Sequence, residues 1–392
     1  MTPGQAKSGL VLLAAGGTGG HVFPAKALAE ALLARGLRVE LVTDRRGTAF
    51  ETARDGLKIH RIRAAGIAGR GPLAKLTAVG DLLLGYLEAR ALIRRLRPDV
   101  VVGFGGYASV PTVLAASARG VRVVLHEQNA VLGRANRLLA SRADAIATCF
   151  AEVGKLRPDH RDKLVLTGNP VRAAIVALRD SLSPPLSPDG PIDLLITGGS
   201  QGASVFAEVM PAAVACLPVA LRVRLRIAQQ AREVDLDDVT AAYRALGVEA
   251  DVRRFFDDMP ERLATARLLI CRSGASTVAE NTAAGRPAVL IPYPHAIDDH
   301  QMANARAIEA AGGALVLPQA DATPETLART LESVLGDPDR LAAMAAAARA
   351  AGIPDADHRL VELVLRTARL PNGESARAAD RASTMTIRSV AA

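Results

Sequence analysis

The first hydrophobic run of the chain, LVLLA at Leu10–Ala14, is followed at once by AGGTGGH at Ala15–His21. Five consecutive apolar residues that end in a glycine-rich turn are typical of a buried parallel strand leading into a helix. The four glycines in the five residues from Gly16 to Gly20 let main-chain amides approach an anion, because no Cβ blocks them. The stretch therefore predicts a ligand-binding crevice at the carboxyl end of a parallel sheet.

Short apolar runs alternate with Ala/Leu/Arg-rich helical stretches along the chain, and the series restarts with GGSQG at Gly198–Gly202. Alternating strands and helices imply parallel sheets covered by helices on both faces. The sequence therefore predicts an α/β protein with two Rossmann-like domains facing across a cleft. The predicted strands are Leu10–Ala14, Arg38–Thr43, Asp99–Val102, Val121–Leu125, Leu164–Leu166, Ile192–Ile196, Val223–Ile227, Leu268–Ile270 and Ala288–Ile291.

The length of 392 residues exceeds what one hydrophobic core usually serves, which supports two domains. Four prolines between Ser181 and Pro191 indicate a linker, and the sequence after Pro371 is small, polar and aperiodic. We expect a first domain at 8–178, a linker at 179–190, a second domain at 191–350, a helix at 351–371 returning to the first domain, and a disordered tail at 372–392.

Charge is unevenly distributed between the two halves. Residues 1–172 hold 26 Lys and Arg against 13 Asp and Glu, whereas the whole chain has a net charge of only +8. A basic first half favours a phosphate-rich partner, such as a pyrophosphate substrate, an anionic lipid surface or nucleic acid. Nucleic acid is disfavoured because aromatic residues make up only 3% and no recognition motif is present. The three dispersed cysteines form no metal-ligand spacing or disulfide framework, which suits a reducing cytosol.

A second glycine loop, GFGGYAS at Gly103–Ser109, also follows a predicted strand. It matches G-x-G-x-x-A, and Glu127 follows after about 20 residues, so an NAD-dependent oxidoreductase is an alternative interpretation. His21 beside the first glycine loop is a candidate general base, since its pKa can lie near neutrality. Its alternative role is purely structural.

In the second half, CRSGASTVAE at Cys271–Glu280 follows a strand and opens a helix, which suits phosphate binding. Glu280 could accept hydrogen bonds from a ribose diol, although Ser276 or Thr277 could simply cap the helix. Asp235 and Asp237 resemble a D-x-D metal motif, but no strand precedes them, so we predict no metal site there.

Residues 66–97 contain a leucine-rich apolar stretch flanked by basic residues, which suggests docking on an anionic membrane surface. The alternative is a wholly buried helix. The apolar positions concerned are Leu73, Leu76, Val79, Leu82, Leu83, Leu84 and Tyr86, and the flanking cations are Arg70, Lys75, Arg90, Arg94, Arg95 and Arg97. No run of about 18 uncharged apolar residues is present.

Seven ordered segments together resemble the MurG family of bacterial lipid I N-acetylglucosaminyltransferases, over nearly all of residues 10–370. They are GGTGGHVFPA at 16–25, GFGGYASVP at 103–111, HEQNA at 126–130, GNPVR at 168–172, GGSQGA at 198–203, CRSGASTVAE at 271–280 and PHAIDDHQMANA at 294–305. The resemblance implies the GT-B architecture, with the donor bound mainly by the second domain.

The resemblance also implies roles for individual residues. His21 and Glu127 would be catalytic and, with Tyr107, would serve acceptor binding and proton transfer. Phe256 stands where the family often has Ile, and Asn281 stands at a position that is usually apolar. The residues implied to bind substrate are Thr18, Gly19, Gly20, Tyr107, His126, Asn129, Arg172, Ser200, Gln201, Phe256, Ala275, Ser276, Thr277, Val278, Ala279, Glu280 and Gln301.

The implied reaction is an inverting transfer of N-acetylglucosamine from UDP-N-acetylglucosamine to the 4-hydroxyl of the muramoyl sugar of lipid I, with no cofactor and no metal. The implied location is peripheral, at the cytoplasmic face of the cell membrane, with cell-wall and division proteins as partners. Another UDP-sugar transferase or an epimerase of the same fold is the second interpretation.

Overall fold

The computed structural model describes residues 9–16, 19–44, 57–64, 72–180, 190–199 and 203–370, with the backbone alone for residues 72–79. The chain divides into two compact units. Of the described residues, the first unit contains those up to Gln128, Leu132–Pro170 and those from Asp355 to Leu370, and the second contains Asn129–Val131 and those from Val171 to Pro354. Each unit is built around one parallel sheet, as the alternating pattern predicts.

In the first unit, the described residues form a seven-stranded sheet of order β3-β2-β1-β4-β5-β6-β7, in which every pairing is parallel. Its strands are β1 (Leu10–Ala14), β2 (Arg38–Asp44), β3 (Lys58–Ile62), β4 (Val100–Gly103), β5 (Arg122–Glu127), β6 (Ala145–Thr148) and β7 (Leu164–Leu166). Its helices are α1 (Gly19–Ala34), α2 (Pro72–Leu96), α3 (Ser109–Ser117) and α4 (Arg134–Leu139).

The strand order of this sheet reverses between β1 and β4, because β2 lies on one side of β1 and β4 on the other. The chain therefore leaves the neighbouring carboxyl ends of β1 and β4 in opposite directions and opens a crevice there. Both faces of the sheet are covered by apolar side chains. Residues of α1 form the core of one face, and residues of α2 and α3 form that of the other.

In the second unit, the described residues form a six-stranded parallel sheet of order β10-β9-β8-β11-β12-β13. Its strands are β8 (Ile192–Thr197), β9 (Leu225–Gln230), β10 (Glu249–Arg253), β11 (Leu268–Cys271), β12 (Ala288–Leu290) and β13 (Ala314–Val316). Its helices are α5 (Ala173–Val176), α6 (Ser204–Cys216), α7 (Val219–Arg222), α8 (Leu236–Ala245), α9 (Met259–Thr265), α10 (Ala275–Ala283), α11 (His300–Ala310), α12 (Pro324–Leu335) and α13 (Pro338–Ala351). The strand order reverses between β8 and β11, which repeats the arrangement of the first unit.

The final helix, α14 (Ala356–Ala368), lies in the first unit, where Leu360 and Val364 pack into the same core as α1. Arg35, the residue that follows α1, pairs with Glu362 of α14 at 3.1 Å. The division between the units falls after Pro170, whereas the sequence predicts it at residue 178. Residues 181–189 of the linker predicted at 179–190, and the predicted tail at 372–392, lie outside the described residues.

Four strands, β3, β6, β10 and β13, are absent from the set predicted from the sequence. Three of them, β3, β10 and β13, are edge strands. Edge strands face solvent along one side, so KIHRI in β3 and EADVR in β10 carry charged residues that break the apolar pattern. The interior strand β6 has the sequence AIAT, whose two alanines give little β-strand signal.

Helix α2 packs closely against the main chain that follows β3 at Gly85. A Cβ at this position would lie 1.8 Å from the carbonyl oxygen of Arg63, the residue that follows β3. Only glycine fits this contact. On either side of it, Leu83, Leu84 and Leu87 are exposed, so the alternative interpretation of a wholly buried helix is wrong. Among the described residues, no helix is long and apolar enough to cross a bilayer.

Replacing Gly85 by alanine is expected to destabilise the protein by about 1–3 kcal/mol, because α2 would have to move away from Arg63. Gly80 of the same helix is the matched control, because a Cβ added there would have no atom within 4 Å. Gly80→Ala should be neutral or stabilising by up to about 1 kcal/mol, since alanine favours helix. Urea unfolding midpoints measure both effects, and equal midpoints for the two variants would contradict the prediction.

Candidate active site

The crevice of the first unit is formed by the loops after β1 and β4. The imidazole of His21, in the first turn of α1, lies against the main chain of Gly105 and Gly106. A Cβ on Gly105 would come within 3.2 Å of His21 Nε2, and one on Gly106 within 3.6 Å of His21 Nδ1. Both glycines have positive φ, +87° and +71°, a conformation that favours glycine. The two glycine loops predicted to bind ligand thus meet around His21.

Four other residues are predicted to bind substrate in this crevice: Thr18, Gly19, Gly20 and Tyr107. Tyr107 is half-buried in the loop after β4, and Gly20 is exposed in the first turn of α1. Gly19 begins that helix, two residues before the start that the sequence predicts near His21. Thr18 lies outside the described residues.

Glu127, the other predicted catalytic residue, is buried at the carboxyl end of β5. Its Oε2 accepts hydrogen bonds from the backbone N–H of Gly133 at 2.8 Å and from Asn136 Nδ2 at 2.9 Å. The carboxylate thereby holds the start of α4. These contacts disfavour the NAD interpretation, in which Glu127 would receive a ribose diol.

His126 is also buried, and its two ring nitrogens have partners within the unit. Gln128 Nε2 donates to Nδ1 at 2.9 Å, and the ring Nε2 lies 3.3 Å from the carbonyl oxygen of Gly168. Burial lowers the pKa of His126 to about 4, and the nearby His21 adds to the shift. The ring is therefore neutral near pH 7 and lies inside the unit, although the resemblance implies a substrate contact.

In the second unit, helix α10 begins directly after β11, as the CRSGASTVAE segment predicts. Its N-cap is Gly274, and no side chain caps it. Ser276 and Thr277 are therefore inside the first turn, so the alternative in which they cap the helix is wrong. The amides of this turn have no partner within the helix, and the helix dipole adds partial positive charge, which together suit a phosphate.

Glu280 lies one turn further along α10 and forms an ion pair with Arg172. Arg172 Nε and Nη2 both contact Glu280 Oε1, at 3.1 and 3.0 Å. Burial raises the pKa of Glu280, and the charge of Arg172 opposes that shift. The neighbouring Asn281 is buried and donates from Nδ2 to Cys271 Sγ at 3.3 Å, which ties α10 to β11. The structure thus brings together Arg172 and Glu280, two residues that the resemblance assigns to the donor.

Gln301 is oriented by the loop after β12. Its Oε1 accepts from the backbone N–H of Tyr293 at 3.0 Å, so its side-chain NH₂ remains a donor. Its carbonyl oxygen accepts from Ser273 Oγ at 2.8 Å. Asp298 and Asp299 have φ of +57° and +54°, an uncommon conformation for residues other than glycine. Backbone strain of this kind concentrates at functional sites.

Arg272 braces the same loop from inside the unit. Its guanidinium donates to the carbonyl oxygens of Ile291 at 3.0 Å and Pro292 at 3.1 Å, and to Gln319 Oε1 at 2.6 Å. All three acceptors are neutral, and burial lowers the pKa of Arg272. A buried cation with neutral partners makes the local potential positive beside the first turn of α10.

Asn304 of α11 connects three segments of the second unit. Its Oδ1 accepts from the backbone N–H of Ala130 at 2.8 Å, and its Nδ2 donates to Asn129 Oδ1 and to the carbonyl oxygen of Ser273. The predicted donor residue Asn129 is therefore held next to the segment that opens α10. The sequence shows Asn304 only as part of the MANA segment and gives no sign of this role, nor of the roles of Arg272 and Asn136.

The remaining predicted positions are Phe256, Ser200 and Gln201, together with the rejected metal motif at Asp235. Phe256 is buried beneath the guanidinium of Arg262, 4.0 Å from its ring centre, so a nucleobase could contact only its main chain. Ser200 and Gln201 lie outside the described residues. Both carboxylate oxygens of Asp235 are bound by Arg232. Among the described residues, no group of three or more His, Cys, Asp or Glu side chains is placed to hold a metal.

Both units match domains of one glycosyltransferase family. The glycosyltransferase family 28 N-terminal domain matches residues 11–148, and the family 28 C-terminal domain matches residues 193–360. With two parallel α/β domains, each carrying a glycine loop after its first strand, the chain is a glycosyltransferase of GT-B architecture. The crystal structure of MurG from Acinetobacter baumannii is 32% identical, with a TM-score of 0.75, and covers 91% of this chain and 99% of that one.

Two relatives that are more than 50% identical to this chain carry the same transferase name. A protein of Rhodospirillum centenum is 56% identical over 93% of this chain and 96% of its own length, and one of Paramagnetospirillum magneticum is 54% identical over 91% and 96%. Both are named UDP-N-acetylglucosamine–N-acetylmuramyl-(pentapeptide) pyrophosphoryl-undecaprenol N-acetylglucosamine transferase. The chain belongs to the MurG family of glycosyltransferase family 28. A UDP-N-acetylglucosamine 2-epimerase structure from Listeria monocytogenes, 16% identical with a TM-score of 0.62, shares the fold alone.

Replacing Gly105 by alanine should displace the His21 ring and lower kcat, on the order of 10²-fold for a shift near 1 Å. Gly120 is the matched control, because its φ is also positive, +70°, and a Cβ added there would have no atom within 4 Å. Gly120→Ala therefore adds similar backbone strain without touching His21. Steady-state kinetics compare the two, and equal kcat values would show that strain alone explains the loss.

Proposed function

We propose that this chain transfers N-acetylglucosamine from UDP-N-acetylglucosamine to the 4-hydroxyl of the N-acetylmuramoyl sugar of lipid I, forming lipid II for peptidoglycan synthesis. The observation that carries the proposal is identity above 50% to transferases of that name over nearly the whole chain. The fold alone does not identify the reaction, because a UDP-N-acetylglucosamine 2-epimerase structure has the same fold. The reaction joins the acceptor oxygen to C1 of the sugar, releases UDP and inverts the configuration at C1.

The proposed donor site lies in the second unit. The first turn of α10 offers the amides of Ala275, Ser276 and Thr277 to the diphosphate, and Glu280 accepts hydrogen bonds from the ribose diol. Gln301 offers its NH₂ to a sugar hydroxyl because Tyr293 occupies its oxygen. The buried charge of Arg272 favours the departing diphosphate, since an anion is stabilised by a nearby cation in a low-dielectric surrounding.

The proposed acceptor site lies in the first unit, around the two glycine loops. His21 is the better candidate for the general base, because its ring is part-exposed whereas Glu127 is buried and bound to the start of α4. His21 would take the proton of the 4-hydroxyl as that oxygen attacks C1. Tyr107 lies in the adjoining loop and would contact the acceptor.

We further propose that the first unit docks on the cytoplasmic face of the membrane, where the lipid-linked acceptor resides. Leu83 and Leu87 are 62% and 57% exposed on α2, and Arg90, Arg94 and Arg95 follow on the same helix. The contact between Gly85 and the residue after β3 places these leucines near the carboxyl edge of the sheet. That edge also carries the His21 loop, so docking there would keep the proposed acceptor site close to the lipid surface.

The activity itself is tested by UDP release from UDP-N-acetylglucosamine with a lipid I analogue. We expect a disaccharide product, far slower turnover with UDP-glucose, and activity that persists in EDTA. Release of free N-acetylglucosamine epimer without an acceptor, or turnover of NADH, would contradict the proposal and support an alternative.

His21→Ala should lower kcat by about 10²–10⁴-fold, the usual contribution of a general base, with the donor KM little altered. In the wild type, the acidic limb of the kcat–pH profile should reflect an imidazole and should vanish in the variant. Near-normal kcat would instead give His21 a structural role and transfer the base assignment to Glu127.

Replacing Leu83 and Leu87 by glutamine should weaken binding to vesicles that contain anionic lipid by about tenfold or more, since two leucines lose their burial in the lipid interface. Val219 and Val223, which are 63% and 70% exposed in the second unit, have the same spacing and provide the control. High salt should release the wild type because it screens the basic residues. Equal loss with both double variants would locate the membrane contact elsewhere.

A further inference from the structure

Arg172 and Glu280 are paired in an unusual way for two residues that are both implied to bind the donor. Two nitrogens of Arg172, Nε and Nη2, converge on one oxygen of Glu280, Oε1. Among the described residues, the second oxygen, Oε2, has no hydrogen-bond partner. The guanidinium therefore fixes the carboxylate through one oxygen and leaves the other able to accept.

The surroundings of Glu280 explain why it needs this partner. Its side chain is only 24% exposed, and a carboxylate that loses water becomes harder to ionise. No other residue of α10 is charged, and the sequence of α5, AAIV, contains no charge either. Arg172 is thus the cation that compensates Glu280, and it stands at the N-cap of α5, a helix that packs against α10.

We propose that Arg172 is a positioning residue, which holds Glu280 as an oriented carboxylate for the two hydroxyls of the donor ribose. The inference rests on the proposed function and deepens it, because it assigns recognition of the ribose diol to a pair. An arginine suits this role better than a lysine, since its planar guanidinium presents two N–H groups to one acceptor in a fixed geometry.

The experiment compares the dissociation constants of UDP and 2′-deoxy-UDP, which differ only in the diol. Their ratio isolates diol recognition, because both nucleotides carry the same diphosphate. For the wild type we expect a ratio of about tenfold, the value of a hydrogen bond to a charged group. Glu280→Gln and Arg172→Gln should each reduce the ratio to below about threefold, and the double variant should reduce it no further. Arg172→Lys should restore part of it.

The control is Arg306→Gln, which breaks the ion pair of Arg306 with Glu309 elsewhere in the same unit. Arg306 and Arg172 have similar exposure, 56% and 51%. This variant should keep the wild-type ratio. Thermal melting verifies that each variant is folded.

Two results would overturn the inference. If Arg172→Gln weakens both nucleotides equally and keeps the ratio, Arg172 acts on the diphosphate directly and does not position Glu280. A wild-type ratio near one would remove Glu280 from the ribose and the inference with it. By contrast, a wild type that binds neither nucleotide would refute the proposed donor, and so the proposed function.

Discussion

Parallel pairing of β1 with β4, and of β8 with β11, is the constraint on which the rest of the structure depends. Each pairing lies where the strand order reverses, so the chain leaves neighbouring carboxyl ends in opposite directions. Main-chain amides at these ends cannot all be satisfied by the sheet or by the first turns of the helices. Glycine lets a ligand approach such amides closely, because no Cβ blocks them. The residues of the two proposed sites lie at these ends or after the neighbouring strands of each sheet.

The buried ionisable side chains at the two candidate sites have different partners. In the first unit, burial lowers the pKa of His126, and the buried Glu127 accepts hydrogen bonds from Gly133 and Asn136. The second unit keeps Arg272 as a buried cation with neutral partners and pairs the half-buried Glu280 with Arg172. A positive surrounding suits a nucleoside diphosphate. A crevice with a part-exposed imidazole suits proton transfer from a sugar hydroxyl.

Fold and sequence identity contribute separate information about this protein. The same two-domain architecture occurs in a 2-epimerase structure and in a glycosyltransferase structure of kitacinnamycin at below 20% identity, so architecture alone leaves the reaction open. The chemistry follows from the particular residues in the loops. Identity above 50% over nearly the whole chain is a likeness of sequence that the fold by itself does not require.

The sequence by itself determined the α/β class, the repeated domain plan and the glycine loops, because buried parallel strands are continuous apolar runs and tight turns need glycine. It also pointed to CRSGASTVAE as the start of a helix. It could not give the edge strands β3 and β10, whose charged residues hide the pattern. Only the tertiary structure decided that Glu127 is buried, that Gly274 rather than Ser276 caps α10, and that Arg172, more than a hundred positions away, meets Glu280. Contacts between residues distant in the chain arise from packing, and one sequence carries no periodic signal of them.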